Sequence, residues 1–199
     1  MLGLVLAGGL SRRMGGGDKP LAMLGGRTLL ARVIERLAPQ CPAGLALSAN
    51  GDPARFRDFP GPVLADDLPD HPGPLAGILA GLDHAAGRGL SAVVSVSGDA
   101  PFLPADLVAR LVAAREVERL PIALAASRER EHYTVALWPV ALRAELRAAL
   151  VERGERRVGA FIARHGAAVA AWPTEPFDPF LNVNTPEDLA AAERIAAAG

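Results

Sequence analysis

The residues whose types and spacing could carry chemistry are few. Lys19 is the only lysine in a chain with 21 Lys+Arg, the other twenty being arginine. A composition that uses arginine wherever a generic positive charge suffices leaves the compact ammonium of Lys19 with a specific task. Lys19 ends a run that opens at Gly8 and places five glycines over the ten positions 8–17, together with Ser11, Arg12 and Arg13. Glycine lets backbone N–H groups approach an anion, and the cations neutralise it, so the run reads as a polyphosphate cradle; the alternative is a solvated, flexible loop. Two familiar loops are excluded by spacing. A Walker A motif needs Ser or Thr after its lysine, where Pro20 stands, and a dinucleotide fingerprint needs a Gly-x-Gly-x-x-Gly that Gly8-Gly9-Leu10-Ser11 does not supply.

Carboxylates and amides complete the set. Asp99, in Ser97-Gly98-Asp99-Ala100-Pro101-Phe102, follows an apolar run and a glycine, a position from which a carboxylate can hold a hard cation such as Mg²⁺; it could equally cap a helix over Pro101–Arg115. Asp66 and Asp67 form a second acidic pair, placed to contact ribose or metal or to solvate a loop. Asparagine occurs only at 50, 182 and 184. In Asn182-Val183-Asn184 two amides one residue apart face the same way from an extended segment and could serve one polar ligand, or belong to a turn. Arg156 and Arg157, in Gly154-Glu155-Arg156-Arg157, suit a phosphate or a surface. The four histidines, 71, 84, 132 and 165, show no zinc-ligand spacing.

Short β-branched apolar runs alternating with amphipathic stretches must position these groups, the pattern of an α/β domain with a mostly parallel sheet. Strands are expected at Leu2–Ala7, Leu45–Ala49, Pro62–Ala65, Ala92–Ser97, Ile122–Ala126, Tyr133–Trp138 and Ala167–Trp172. Thr28 caps a helix ended by Pro39, Pro104 opens another, and Thr185 with Pro186 and Asp188 starts a C-terminal helix expected to pack on the sheet. Ligands of such sheets bind beyond the strands' carboxyl ends, where the first glycine run, Asp66 and Asp99 all fall. No repeat or linker divides the 199 residues, so a single domain spanning 1–199 is expected. A net charge of −1 and 5% aromatic residues disfavour a nucleic-acid partner. The lone Cys41 excludes an intrachain disulfide and fits a reducing cytoplasm. No apolar run reaches the roughly 18–20 residues that span a bilayer, so no membrane partner is expected. The first ten residues lack a basic segment before their apolar run and so do not read as a signal peptide.

Taken in order, these segments resemble a family. Leu6-Ala7-Gly8-Gly9, Ser11, Arg13-Met14-Gly15 and Asp18-Lys19 are similar to the opening of the molybdenum cofactor guanylyltransferases. The likeness continues through Asp66, Pro72-Gly73-Pro74-Leu75-Ala76-Gly77, Gly98-Asp99-Ala100-Pro101-Phe102, Gly154-Glu155-Arg156-Arg157-Val158 and Asn182-Val183-Asn184-Thr185-Pro186-Glu187-Asp188-Leu189, nearly the whole chain. The resemblance implies a three-layer, Rossmann-like nucleotidyltransferase fold and transfer of GMP from GTP to molybdenum-bound molybdopterin with release of pyrophosphate. It implies GTP contacts from Leu6, Ala7, Gly8, Gly9, Lys19, Asp66 and Asp99, catalytic charge from Lys19, Asp99 and Arg13, and Mg²⁺ on Asp99. Asn182, Asn184 and Arg156 are the candidates for the pterin. Proteins that insert molybdenum or deliver the cofactor are the implied partners. At the end of the second strand, where relatives often carry a guanosine-holding asparagine, this chain has Ser48, with Asn50 two residues on. A cytidylyltransferase of the same pathway and a non-catalytic nucleotide-binding relative are the competing readings.

Because Asn182 and Asn184 lie far along the chain from the glycine run, their loss is expected to weaken pterin binding more than GTP binding. Asp99→Asn separates the two roles of Asp99, since asparagine caps a helix about as well but lacks the charge that holds a hard cation. A cap predicts a nearly unchanged protein; a metal ligand predicts normal folding, a weakened Mg²⁺ dependence of nucleotide binding and turnover lowered by orders of magnitude.

Overall fold

The first strand is apolar at every position and buried from Leu2 to Val5, as a strand covered on both faces must be. The computed structural model describes residues 1–7, 18–68 and 73–198. Along the chain the strands are β1 (Leu2–Leu6), β2 (Met23–Leu24), β3 (Arg27–Thr28), β4 (Leu45–Ser48), β5 (Val63–Leu64), β6 (Ala92–Ser97), β7 (Ile122–Ser127), β8 (Arg130–Pro139) and β9 (Ala167–Trp172). The helices are α1 (Leu29–Leu37), α2 (Pro74–Gly87), α3 (Leu107–Glu118), α4 (Arg143–Val151), α5 (Val158–His165) and α6 (Pro186–Ala198).

Seven strands form one sheet in the order β5-β4-β1-β6-β8-β7-β9, and β2 and β3 form a separate ribbon. Within the large sheet only β8 runs against its neighbours. Side chains alternate between its faces: Val5, Val94 and Val96 meet α1 and α3 through Leu30, Val33, Leu107 and Leu111. Leu4, Val93 and Trp138 meet α2, α4 and α5 through Ile78, Leu82, Leu146 and Phe161. The result is the expected three-layer α/β architecture. Helix α2 lies close on the sheet because Gly77 and Gly81 face it; a Cβ on Gly81 would stand 2.5 Å from Leu4 Cδ2, and one on Gly77 2.4 Å from Ser48 Oγ.

Local signals hold where the chain decides locally. Thr28 Oγ1 accepts from Ala31 N at 3.0 Å and caps α1. Ahead of α6, Thr185 Oγ1 accepts from Asp188 N at 3.1 Å while Asp188 Oδ2 accepts from Thr185 N at 3.0 Å, a reciprocal capping box. Tertiary contacts move other boundaries. Ala92–Ser97 and Ala167–Trp172 stand as expected, but β8 reaches back to Arg130 because polar residues unlike a strand, Arg130 to His132, pair with Ser127 to Ala125.

The helix expected from Pro101 or Pro104 forms as α3, with Leu107, Val108 and Leu111 buried as expected, but it begins only at Leu107. Pro104 O accepts from Leu107 N at 3.3 Å and from Gln40 Nε2 at 2.9 Å, and Gln40 Oε1 accepts from Val108 N at 2.9 Å. A side chain from the turn after α1 thus sets the start of α3, while Asp106 turns away to accept from Trp172 Nε1 at 2.9 Å. Helix α6 does not pack on the large sheet as expected. It closes a third apolar cluster, in which Ala192 joins Leu24, Leu29, Phe102 and Val183.

Cys41 is buried, and burial pushes its thiol up to about 11, so it packs as a small apolar side chain. Among the described residues no helix is long and apolar enough to cross a membrane. Gln40→Ala removes the two hydrogen bonds that join the turn after α1 to the start of α3 and is expected to lower stability by about 1–2 kcal/mol in urea unfolding without changing ligand affinity.

Candidate functional site

From β1 the chain steps to β4 and β5 on one side and, after α2, returns to β6 on the other side of β1. The crevice beyond the ends of β1 and β6 is therefore the switch point of the sheet, where such folds bind ligands. Leu6 and Ala7 sit at its edge: Leu6 O accepts from Gly98 N at 3.0 Å, and Ala7 N donates to Ser48 O at 2.9 Å. Gly8, Gly9 and Arg13, with the rest of the glycine run at 8–17, lie outside the described residues.

Lys19 emerges from that run in a short 3-10 turn, Lys19–Leu21. Its Nζ donates both to Asp99 Oδ2, forming an ion pair, and to Asn184 Oδ1. The Asp99 side chain is 12% exposed and that of Lys19 20%, so the pair is largely withdrawn from water. Asp99 Oδ1 also accepts from Ser97 Oγ at 2.5 Å, and its backbone carbonyl accepts from Val183 N at 2.9 Å. The last bond straps the segment bearing Asn184 onto the Asp99 turn. Gly98 makes room for the arrangement, since a Cβ there would stand 3.3 Å from Pro20 Cγ and from Leu6 O. Asp99 caps no helix: α3 starts eight residues later, and the carboxylate is turned to Lys19 and Ser97.

A second branch runs toward the ends of β4 and β5. Asn50 Nδ2 donates to Asp66 Oδ2 at 2.6 Å, and Asn50 Oδ1 accepts from Asp66 N at 3.1 Å, so the amide clamps both the side chain and the backbone of Asp66. Arg55 links this clamp to Lys19's turn by donating to Asn50 O at 2.5 Å and to the Asp18 carboxylate. Nothing in the sequence reading pointed to Arg55; its one signal is the Gly51-Asp52-Pro53 turn after β4, which returns the chain toward the strand ends. Ser48 is buried beneath α2 against Gly77, leaving Asn50 as the amide at this strand end. Asp66 and Asp67 part company, for Asp67 pairs with Arg147 on α4 at 3.3 Å.

Asn182 lies beside Asn184, its carbonyl accepting from Asn184 Nδ2 at 3.4 Å. Arg156 is not brought to this cluster: it donates to Leu150 O at 3.1 Å and Glu155 O at 3.3 Å. In the same motif Glu155 Oε1 accepts from the backbone N of both Arg156 and Arg157 at 2.9 Å, and these N–H groups, that of Arg157 foremost, hold the carboxyl below its ordinary range. Gly154, at φ +63°, gives the backbone the turn that Glu155 then closes ahead of α5.

Side-chain oxygens of Asp99 and Asn184 converge on the Lys19 ammonium, with Ser97 Oγ bonded to the other oxygen of Asp99, a donor set suited to an oxygen-preferring cation such as Mg²⁺. Among the described residues no three His, Cys, Asp or Glu gather as a metal cluster, so further ligands would come from substrate and water.

A lysine and a strand-end aspartate meet at the switch point of the sheet, and the sequence profile described as the MobA-like NTP transferase domain matches residues 3–169, which makes the chain a nucleotidyltransferase by family. A protein of Rhodopseudomonas palustris strain BisB5, 57% identical over 97% of this chain and 92% of its own length, is named molybdenum cofactor guanylyltransferase. One of Bradyrhizobium strain ORS 278, 58% identical over 98% of this chain and 92% of its own, has the same name. The crystal structure of the molybdopterin-guanine dinucleotide biosynthesis protein A of Archaeoglobus fulgidus superposes with a TM-score of 0.75, at 25% identity, over 100% of both chains. The chain belongs to the molybdenum cofactor guanylyltransferase family.

Distance along the chain does not separate Asn184 from Lys19, on which its oxygen sits. Asn184→Ala is therefore expected to weaken GTP as well as acceptor binding, by about tenfold for a lost bond to a charged group. Calorimetric titration of each ligand checks this, and an unchanged GTP affinity would show the Lys19 contact to be idle.

Proposed function

We propose that this protein transfers GMP from GTP to the terminal phosphate of molybdenum-bound molybdopterin. An acceptor phosphate oxygen attacks the α-phosphorus of GTP, the bond from that phosphorus to the bridging oxygen breaks, and pyrophosphate leaves with the electron pair. The observation that carries the reading is the Lys19–Asp99–Asn184 cluster at the β1/β6 switch point, in a chain 57–58% identical to relatives of that name.

The reaction joins anions, so the protein's task is to neutralise charge and align the groups, with no covalent nucleophile. In this reading Lys19 and Arg13 face the triphosphate. Leu6, Ala7, Gly8 and Gly9 offer backbone to the nucleotide, and Asp66, clamped by Asn50, meets the ribose. Asp99, with Asn184 beside it, holds Mg²⁺. An ion held there would supply positive charge against the phosphates during the transfer. Asn182, Asn184 and Arg156 remain the proposed pterin contacts, although Arg156 stands apart from the cluster. The cytoplasm, where GTP is available, is the proposed site of action, with molybdenum-inserting and cofactor-delivering proteins as partners.

Titration with each of the four nucleoside triphosphates, with and without Mg²⁺, followed by pyrophosphate release in the presence of molybdopterin, is expected to select GTP. Preference for CTP would move the assignment to cytidylyl transfer, and no release from any triphosphate would leave a nucleotide-binding protein without the chemistry. Lys19→Ala should lower turnover by orders of magnitude and also lower Tm, because it leaves the largely buried Asp99 without its cation, and Lys19→Arg should rescue turnover poorly, since a planar fork cannot replace a compact ammonium.

A further inference from the structure

Away from the crevice, three polar side chains, two buried and one half-buried, form a hydrogen-bonded chain that the reaction does not use. Ser127 at the end of β7 is 1% exposed and His132 on β8 is 7% exposed. His132 Nε2 lies 2.7 Å from Ser127 Oγ, and Ser127 Oγ donates to Asp178 Oδ2 at 3.0 Å. The polarity of this chain follows from its end. A carboxylate only accepts, so the single hydroxyl proton goes to Asp178, and the serine oxygen must accept from an Nε2–H of His132. Burial holds the imidazole below its ordinary value, against the pull of Asp178 and with Arg130 adding to the depression, so one ring proton is present and sits on Nε2.

What the chain holds is the start of the segment that carries Asn184. Asp178 Oδ1 accepts from Phe180 N at 2.9 Å and its carbonyl from Leu181 N at 3.2 Å, turning the backbone across Pro179. The Phe180 ring lies 4.8 Å from His132 and edge-on to Trp172 at 5.3 Å. Val183 N then reaches Asp99 O, and Asn184 Oδ1 reaches Lys19. A buried polar chain adds little net stability compared with apolar packing, but it admits one geometry, since a shifted partner leaves a desolvated group unsatisfied.

We propose that Ser127, His132 and Asp178 are positioning residues, a tether from the β7–β8 hairpin that keeps segment 178–184 in the register that places Asn184 on Lys19. The proposal rests on the reading of Lys19 as the phosphate-facing cation, but its geometry is testable without turnover. Because Lys19 is the only lysine, acylation of the native protein by an amine-reactive ester, read at the Lys19 peptide by mass spectrometry, reports on that one clasp.

Ser127→Ala and Asp178→Ala are expected to raise the Lys19 acylation rate about fivefold, the size of one lost hydrogen bond. Asp178→Asn should restore a rate close to wild type. Its oxygen still accepts from Phe180 N, its amide donates to Ser127 Oγ, and the serine hydroxyl donates to His132 Nε2 once the single ring proton has moved to Nδ1. Ser95→Ala is the control: Ser95 is fully buried, accepts from Trp138 Nε1 at 2.8 Å and is absent from the tether. It should lower Tm and leave the acylation rate unchanged. A wild-type rate in Ser127→Ala, no rescue by Asp178→Asn, or equal acceleration in Ser95→Ala at matched loss of Tm overturns the tether. Absence of guanylyl transfer by the wild-type protein would instead overturn the proposed function and leave these rates to decide the tether.

Discussion

A lysine ammonium held between a carboxylate and an amide oxygen is the contact on which the rest of the site depends. Withdrawing Lys19 and Asp99 from water is costly unless each finds its partner, and removing one would leave the other desolvated and uncompensated. The three groups come from residues 19, 99 and 184, so the pairing forms only when the first strand, the middle of the sheet and the C-terminal segment are all in place. The same concentration of charge suits a site for polyphosphate, where the protein must supply a cation already aimed and already freed of much of its water.

Apolar packing does the aiming. Leu24 follows Lys19 by five residues, Phe102 follows Asp99 by three, and Val183 precedes Asn184; the three side chains meet with Leu29 and Ala192 in one small cluster. Phe102 also packs on Phe177 at 5.3 Å. Each segment that brings a polar group to the crevice thus anchors an apolar one behind it. This cluster stands apart from the two large cores, so the large sheet fixes where the strands end while the satellite cluster fixes how the loops beyond them converge. Helix α6, which closes the cluster, thereby belongs to the site without contributing to its chemistry.

Phosphoryl-type transfer asks for position and charge more than for a reactive atom. The described residues agree with that demand. The cysteine is buried with its thiol proton retained, and the Ser127–His132 pair is sealed from solvent and turned toward Asp178. Charged groups near the crevice are paired with one another, Lys19 with Asp99 and Asp18 with Arg55. Such pairs hold donors and acceptors in fixed directions that a bound triphosphate and its counter-ion can take over.

Much of the fold was legible because its signals are local. Continuous apolar runs marked the buried strands, Thr28 and Thr185 marked helix starts through bonds within one turn, and the switch-point rule turned strand ends into a short list containing Lys19, Asp66 and Asp99. What failed was decided by partners distant in the chain. The start of α3 is set by Gln40 from the turn after α1, which no pattern around Pro101 or Pro104 reveals. β8 recruits Arg130 to His132 because β7 needs a partner, although their polarity argues against a strand. Rarity alone marks Asn184 in the sequence, and its position 165 residues from Lys19 gives no sign that the two meet, nor does any local pattern single out Arg55. The sequence by itself determined which residues could bear charge, cap a helix or fill a core, since these are properties of single side chains and near neighbours. Only the tertiary structure decided that Lys19, Asp99 and Asn184 share one point, because that requires burying Leu24, Phe102 and Val183 together, and a hydrogen bond across 165 positions has no local cause.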